Sequence, residues 1–87
     1  MAKTYTLTIV TREGVVFADE VQALVAPGET GSLGVLANHA PLMTLLAPGR
    51  FEITDRAGTK RIGRVGGGLL DVYKNTATLI TDSLDLP

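Results

Sequence analysis

The single histidine of the sequence, His39, is the first residue with the potential for chemistry, because an imidazole can serve as a general base near neutral pH. A hydrolase would need a nucleophile beside it, and a metal site would need further ligands. The sequence has no cysteine, no Gly-x-Ser-x-Gly nucleophile motif and no second histidine at metal-binding spacing. We therefore predict that His39 is structural or belongs to an interface, and we predict no catalytic residue.

Two glycine-rich segments, residues 28–34 and 63–68, raise the possibility of phosphate binding. A phosphate-binding P-loop needs Lys and then Ser or Thr after its final glycine, followed by the N-terminus of a helix. Here the segments run into Val35-Leu36 and Leu69-Leu70, which are typical of strands. We interpret the glycines as turn and strand-bending residues, with residues 66–68 at a corner of the fold. The carboxylates lack calcium-loop spacing, so neither a metal nor a cofactor is predicted.

The length and composition indicate one globular domain over residues 1–87, because halves of such a chain would each be too small to bury a useful core. The chain is 45% hydrophobic and 20% charged, a balance that argues against disorder. Eight basic residues are matched by nine acidic ones, so a nucleic-acid partner is not predicted. Five of the basic residues form a loose cluster that we interpret as a solvated hairpin: Arg50, Arg56, Lys60, Arg61 and Arg64.

No apolar run approaches the roughly 18 residues that a membrane-spanning helix requires. The first residues lead directly into a strand-like segment and not into the apolar core of a signal peptide. The sequence therefore predicts a cytosolic or peripheral protein without direct membrane insertion. The lack of cysteine is compatible with a reducing compartment.

Short alternating segments dominate the chain. Tyr5, Leu7 and Ile9 alternate with threonines, which predicts a half-buried strand. Hairpin turns are indicated at residues 55–58 and 74–75, and no segment before residue 80 keeps a helical period of 3.6 residues. Many short strands with frequent turns predict an all-β fold, either an antiparallel sandwich or a barrel.

Residues 42–46 depart from this alternation, because their apolar side chains occupy both parities. A strand there would be apolar on both faces, whereas a small antiparallel sheet normally leaves its outer face in water. The second face would then pack under a loop or be covered by another protein. A short buried helix is the competing interpretation, since Leu42, Leu45 and Leu46 also have helical spacing, but the flanking prolines favour the strand.

The central segment, residues 27–44, reads PGETGSLGVLANHAPLMT and is followed by Pro48-Gly49. This order of a Gly-x-Leu-Gly run, His-Ala-Pro, apolar residues and Pro-Gly resembles the epsilon subunit of bacterial and chloroplast ATP synthases, the delta subunit of mitochondria. Residues 4–11 and 66–82 are similar as well, so the resemblance covers essentially the whole chain. It implies a flattened antiparallel β-sandwich of about ten short strands.

The resemblance also implies a non-catalytic central-stalk subunit that couples proton-driven rotation to ATP synthesis by linking the gamma shaft to the c ring. The protein would be peripheral, on the cytoplasmic face of a bacterial inner membrane or the stromal face of a thylakoid. The residues implied at the gamma interface are Thr11, His39, Leu42 and Thr44. Those implied at the c ring are Gly28, Glu29, Thr30, Gly31, Ser32 and Leu33.

Two departures from the family pattern modify these expectations. An acidic residue is common before the Leu-Gly pair, where this chain has Ser32, so Glu29 would supply the charge from a shifted position and weaken the c-ring contact. Family members usually continue into two inhibitory helices that bind ATP in some members, whereas this sequence stops at Pro87. Neither that latch nor ATP binding is expected of these residues. The alternative function is a free-standing ligand-binding β-sandwich module.

Overall fold

The computed structural model describes residues 3–86, and all regular secondary structure in that range is β-strand. The described residues form seven strands: β1 (Tyr5–Thr11), β2 (Gly14–Gly28), β3 (Gly31–Leu36), β4 (Leu42–Asp55), β5 (Lys60–Tyr73), β6 (Thr76–Thr81) and β7 (Leu84–Asp85). The predicted all-β fold is confirmed, and residues 42–46 form a strand and not the competing helix. Residues 3–86 thus offer no helix that could cross a bilayer.

The strands close into a ring. The hydrogen-bonded order is β1-β6-β5-β4-β2, and β1 pairs back with β2, so that five strands surround the core. β3 extends the sheet from β2, and β7 pairs with β5. The β1–β6 pair is parallel, while the other pairs are antiparallel. The expected wholly antiparallel arrangement is therefore corrected at the pair that closes the ring.

The expectation of about ten short strands is also corrected, because three strands are long. β2 has 15 residues, and β4 and β5 have 14 each. The first half of β2 pairs with β1, and its second half pairs with β3 and β4. Register shifts between Val21 and Ala23 and between Val25 and Gly28 bend β2 without ending it. Places that look like strand ends in the sequence are thus bends in a continuous strand.

The glycines at residues 66–68 allow β5 to bend and to approach β6. Gly67 and Gly68 have φ angles of 93° and 145°, which residues with a side chain rarely adopt. A Cβ atom at Gly68 would overlap the carbonyl oxygen of Ile80. Beside it, the Thr81 hydroxyl donates a hydrogen bond of 2.5 Å to the Gly67 carbonyl. This agrees with the predicted corner at residues 66–68.

The core is filled by the side chains that point inward from the ring strands. Tyr5, Leu7 and Ile9 of β1 are all buried, as their alternation predicts. Full burial of a large apolar side chain contributes about 1.5–3 kcal/mol, so these positions dominate the stability of the domain. The largest fully buried side chains are Phe51, Leu7, Ile9, Leu24, Ile53, Leu70, Leu79, Val21 and Val35.

A side-chain hydrogen bond of Tyr5 joins two strands that are not neighbours in the sheet. Its phenol, buried between them, donates a 2.8 Å hydrogen bond from β1 to the Val35 carbonyl of β3. Burial disfavours the phenolate and raises the pKa of Tyr5 above its ordinary value of about 10. Below that ordinary value the phenol is protonated in both states, so Tyr5 gives the free energy of unfolding no pH dependence. As the pH rises above it, the unfolded state loses its phenol proton first, and the folded state loses stability.

Replacement of Tyr5 by Phe should cost about 1 kcal/mol at neutral pH, because the hydrogen bond is lost. Above about pH 10 the unfolded wild type ionises first, so its advantage over the variant should shrink by about 1.4 kcal/mol per pH unit. Urea unfolding of both proteins across this range measures the difference in free energy of unfolding. A difference that is independent of pH would contradict the raised pKa.

Replacement of Gly68 by Ala should destabilise the fold more than replacement of Gly14 by Ala. Both glycines have positive φ angles, 145° and 107°, so both variants acquire backbone strain of about 1–3 kcal/mol. Only at Gly68 does the added Cβ also overlap another strand, since nothing lies within 4 Å of a Cβ at Gly14. Urea unfolding measures both free energies, and equal losses would contradict close contact between β5 and β6 at this position.

Candidate interaction surfaces

The first half of β4 is apolar on both faces, as the sequence predicts. Leu42, Thr44 and Leu46 have the inward parity; Leu46 is buried and Leu42 packs against the core. Met43 and Leu45 have the outward parity and are 67% and 56% exposed. No other described part of the chain covers this outer face, so it remains in contact with water.

The outward side chains continue across the ring as one line. Leu45 pairs with Leu69 of β5, which pairs with Ile80 of β6; Ile80 pairs with Val10 of β1, which pairs with Val15 of β2. Directly paired residues share a face of the sheet, so these five side chains form an apolar row across five strands. The exposed fractions of Leu45, Ile80 and Val15 are 56%, 50% and 63%.

A shallow depression of about 400 Å³ lies on the apolar row. Its apolar wall is formed by Leu45, Leu69 and Ile80. The remaining lining residues are mainly polar: Thr11, Arg12, Gly68, Thr81 and Asp82. An apolar centre with a polar border is the usual composition of a protein–protein contact, and the depression is suited to a protruding side chain of a partner.

The neighbouring line of outward residues is polar apart from Met43. Met43 pairs with Asp71, Asp71 with Thr78, and Thr78 with Thr8. The apolar row is therefore bordered on one side by carboxylate and hydroxyl groups, and at the depression by Arg12 and its polar neighbours. Such a border confines the apolar surface to a strip that a partner could cover.

None of the four predicted gamma-facing residues belongs to the apolar row. Thr11 ends β1 and lines the depression. Leu42 and Thr44 are half-buried and pair with the buried residues Val72 and Leu70, so their parity is inward. The outward positions of this segment are the adjacent ones.

Sequence reasoning placed Met43 in the segment whose second face a partner could cover, but it assigned neither Leu69 nor Ile80 to an interface. A signal for the last two was present, since Leu69-Leu70 and Leu79-Ile80 are also apolar on both parities. The pattern alone does not say which parity is outward, because both members of each pair are apolar. The register with β4 decides that Leu70 and Leu79 are buried.

His39 lies in the connection between β3 and β4 and makes only local contacts among the described residues. Its main-chain N–H donates to the Leu36 carbonyl at 3.2 Å. Its Nδ1 atom is 2.7 Å from the carbonyl oxygen of Ala40, which can only accept, so this hydrogen bond requires a proton on Nδ1. The ring helps to shape the turn, and Nε2 is the nitrogen left for a partner.

The predicted c-ring residues form one hairpin. Gly28 ends β2 and pairs with Gly31, which begins β3, so Glu29 and Thr30 are the turn residues. Glu29, Thr30, Gly31 and Ser32 are exposed. Leu33 is half-buried and packs against the core, and it therefore fixes the base of the hairpin. The structure thus brings all six predicted residues together.

The hairpin and His39 lie at opposite ends of residues 42–46. Gly28 pairs with Leu46, whereas His39 precedes Leu42 by three residues. Five strand residues separate these ends by about 13 Å at the usual rise of 3.3 Å per residue. The hairpin tip and the His39 connection are thus separate candidate surfaces, and the apolar row crosses β4 at Leu45, next to Leu46 at the hairpin end.

Comparison with known proteins gives a match over almost the whole chain. Residues 4–86 match the family model for the ATP synthase, Delta/Epsilon chain, beta-sandwich domain. The ATP synthase epsilon chain of Legionella pneumophila (strain Corby) is 42% identical over 82 residues, 94% of this chain and 59% of that protein. The epsilon chain of Acidithiobacillus ferridurans is 40% identical over 85 residues, 98% and 60% respectively. The chain therefore spans less than two thirds of the length of these relatives.

Solved structures agree with this match. A chain of the Euglena gracilis mitochondrial ATP synthase, solved as OSCP/F1/c-ring, superposes with a TM-score of 0.89 at 25% identity over 95% of this chain and 53% of its own length. A chain of the Tetrahymena thermophila enzyme, from a central stalk/c-ring structure, gives a TM-score of 0.78 at 16% identity over 97% and 67%, which shows a shared fold alone. By the family match and the identities above, this chain belongs to the ATP synthase delta/epsilon family, through its β-sandwich domain.

Proposed function

We propose that this chain is a non-catalytic rotor domain in the central stalk of a proton-translocating ATP synthase. It links the gamma shaft to the c ring and transmits ion-driven rotation to ATP synthesis. The observation that carries this proposal is the apolar row, which remains exposed on the outside of a closed ring of strands. Membership of the delta/epsilon family of ATP synthases supports another rotor subunit as the protein that covers it.

The gamma subunit covers the apolar row in this proposal. Leu45, Leu69 and Ile80 lie at the centre of this contact and receive an apolar side chain of gamma, and removing apolar area from water there contributes about 25 cal/mol per Å². Of the implied gamma residues, Thr11 lines the depression, Leu42 and Thr44 alternate along β4 with the outward Met43 and Leu45, and His39 precedes this strand. Met43 is added to them because it is exposed. A few well-buried apolar side chains within a polar border usually supply most of the affinity of such an interface.

The hairpin of residues 28–33 contacts the polar loops of the c ring. Its exposed tip and its half-buried Leu33 give a projecting structure with a firm base. Glu29, Thr30 and Ser32 are the side chains offered to the ring. The separation of this hairpin from the His39 end supports simultaneous contact with two partners.

Transmission of torque requires stiffness and no bond chemistry. A closed ring of strands around a close-packed core resists deformation, so rotation of the c ring reaches gamma without slippage. No cofactor takes part in this role, and ATP binding by these residues is not expected. Because the c ring is embedded in the membrane, the domain is peripheral, on the cytoplasmic face of a bacterial inner membrane or the stromal face of a thylakoid.

Replacement of Leu45 by Asp should weaken binding to a purified gamma subunit at least about tenfold, because a charged side chain would be buried in the contact. The fold should be unaffected, since Leu45 is exposed. Replacement of Leu42 by Asp should instead lower the melting temperature, because Leu42 packs against the core. Size-exclusion chromatography with gamma and thermal melting separate the two effects.

Ile62 offers a matched control for this experiment. It is 49% exposed but pairs with Glu52, away from the apolar row. Replacement of Ile62 by Asp should leave gamma binding unchanged. Equal gamma binding by the Leu45 and Ile62 variants would contradict the proposed gamma surface. Failure of the wild-type chain to bind gamma would favour the alternative function, a ligand-binding module.

Replacement of Thr30 by Trp should reduce association of the complex between this chain and gamma with detergent-solubilised c ring, because a bulky side chain at the hairpin tip would hold the surfaces apart. Gamma binding should be retained. The matched control is Ala57→Trp, at an exposed position in the β4–β5 turn, away from both proposed surfaces. Co-purification with the c ring measures the effect, and equal retention of the ring by both variants would argue against the hairpin contact.

A further inference from the structure

Three segments of the chain meet at the side chain of Asn75, in the β5–β6 turn. Its Oδ1 atom accepts a hydrogen bond of 2.7 Å from the main-chain N–H of Asn38, in the β3–β4 connection. Its Nδ2 atom donates one of 3.0 Å to the carbonyl oxygen of Thr4, at the start of β1. Both ends of one amide thus join segments that are 37 and 71 residues away in the sequence.

The turn itself does not require an amide at this position. Lys74 and Asn75 have φ angles of 48° and 58°, as in the two-residue hairpin turns that favour Asn or Gly. Tyr73 and Thr76 on either side are paired. Glycine would satisfy this backbone conformation equally well. The amide of Asn75 therefore adds something that the hairpin does not need, namely the two bonds to other segments.

The segment that receives one of these bonds lies next to His39. Residues 37–41 lie outside the strands, between the end of β3 and the start of β4. Within this connection the His39 N–H bonds to Leu36, and the imidazole bonds to Ala40. These bonds are internal to the connection. The bond from Asn38 to Asn75 fixes it to a different part of the fold.

We propose that Asn75 is a positioning residue for the gamma-facing connection, and that it holds residues 38–41 in place before the partner arrives. This inference rests on the proposed function. A segment that is ordered in advance loses less conformational freedom on binding, and the interface is correspondingly tighter. Asn75 itself is half-buried and acts through the Asn38 main chain, so contact with the partner is not required.

The decisive variant is Asn75→Gly, which keeps the left-handed turn and removes both hydrogen bonds. Its matched control is Lys74→Gly, which adds glycine at the adjacent left-handed position but removes only an exposed side chain that lies over the Tyr73 ring. In the isolated chain, hydrogen exchange of the Asn38 amide should accelerate about tenfold in the Asn75 variant and not in the control, because a protecting bond is lost. Unchanged exchange in both variants would overturn the inference.

Binding to purified gamma gives the second measurement. Asn75→Gly should raise Kd about three- to tenfold, as expected for the loss of one or two ordinary hydrogen bonds that preorganise the interface, and Lys74→Gly should leave it unchanged. Asn75→Asp keeps an acceptor for Asn38 and should fall between the wild type and the glycine variant. Faster exchange without weaker binding would overturn the positioning role.

The two proposals fail in different ways. If the wild-type chain does not bind gamma, the proposed function fails and the positioning role fails with it, although exchange still reports on the Asn75 bonds. If the wild type binds and Asn75→Gly binds equally well, only the positioning role fails. Thermal melting of each variant excludes a general loss of the fold as the cause of weaker binding.

Discussion

The pairing of β1 with both β6 and β2 is the constraint on which the rest of the structure depends. It closes the sheet on itself, so each ring strand has one parity inside and the other outside. The interior accepts only one residue of every adjacent pair. An apolar residue on the other parity has no place inside the molecule and must remain in water or meet a partner. Closure by the parallel β1–β6 pair thus both builds the core and creates the exposed apolar row.

This constraint explains why the doubly apolar segments carry the proposed function. In β4, β5 and β6 the inward leucines complete the core, and their outward neighbours Leu45, Leu69 and Ile80 line up because the strands are in register. A stable core and a binding surface therefore come from the same short stretches of sequence. Stiffness follows from the same arrangement, since the surface is part of the wall of a packed ring and not a mobile loop.

The ends of the ring are shaped by local hydrogen bonds and by glycine. At one end the amide of Asn75 fastens the connection that contains His39, and at the other the pairing of Gly28 with Gly31 projects an exposed hairpin. Neither feature contributes much apolar burial. Their effect is on the position of groups that the proposed partners would contact, and the proposed function requires such positioning because the domain would hold two rotor components in a fixed relation.

The sequence by itself determined the strand character, the buried face of β1, the corner at residues 66–68 and the hairpin turns at residues 55–58 and 74–75. These depend on alternation and turn residues, which are local. It also indicated that residues 42–46 would be apolar on both faces. The resemblance of residues 27–49 to a known family implied the candidate partners. The strand number was overestimated, because bends within β2, β4 and β5 look like strand ends in a sequence.

Only the tertiary structure decided which face of each doubly apolar strand is buried and which is exposed. Where both parities are apolar, as in residues 42–46, no local pattern distinguishes Leu42 and Thr44 from Met43 and Leu45, and a shift of one residue exchanges the inner and outer faces. That choice is made by register with β5, which is a long-range property. The parallel closure and the bonds of Asn75 to Asn38 and Thr4 likewise join residues distant in sequence, so they arise only when the whole chain is folded.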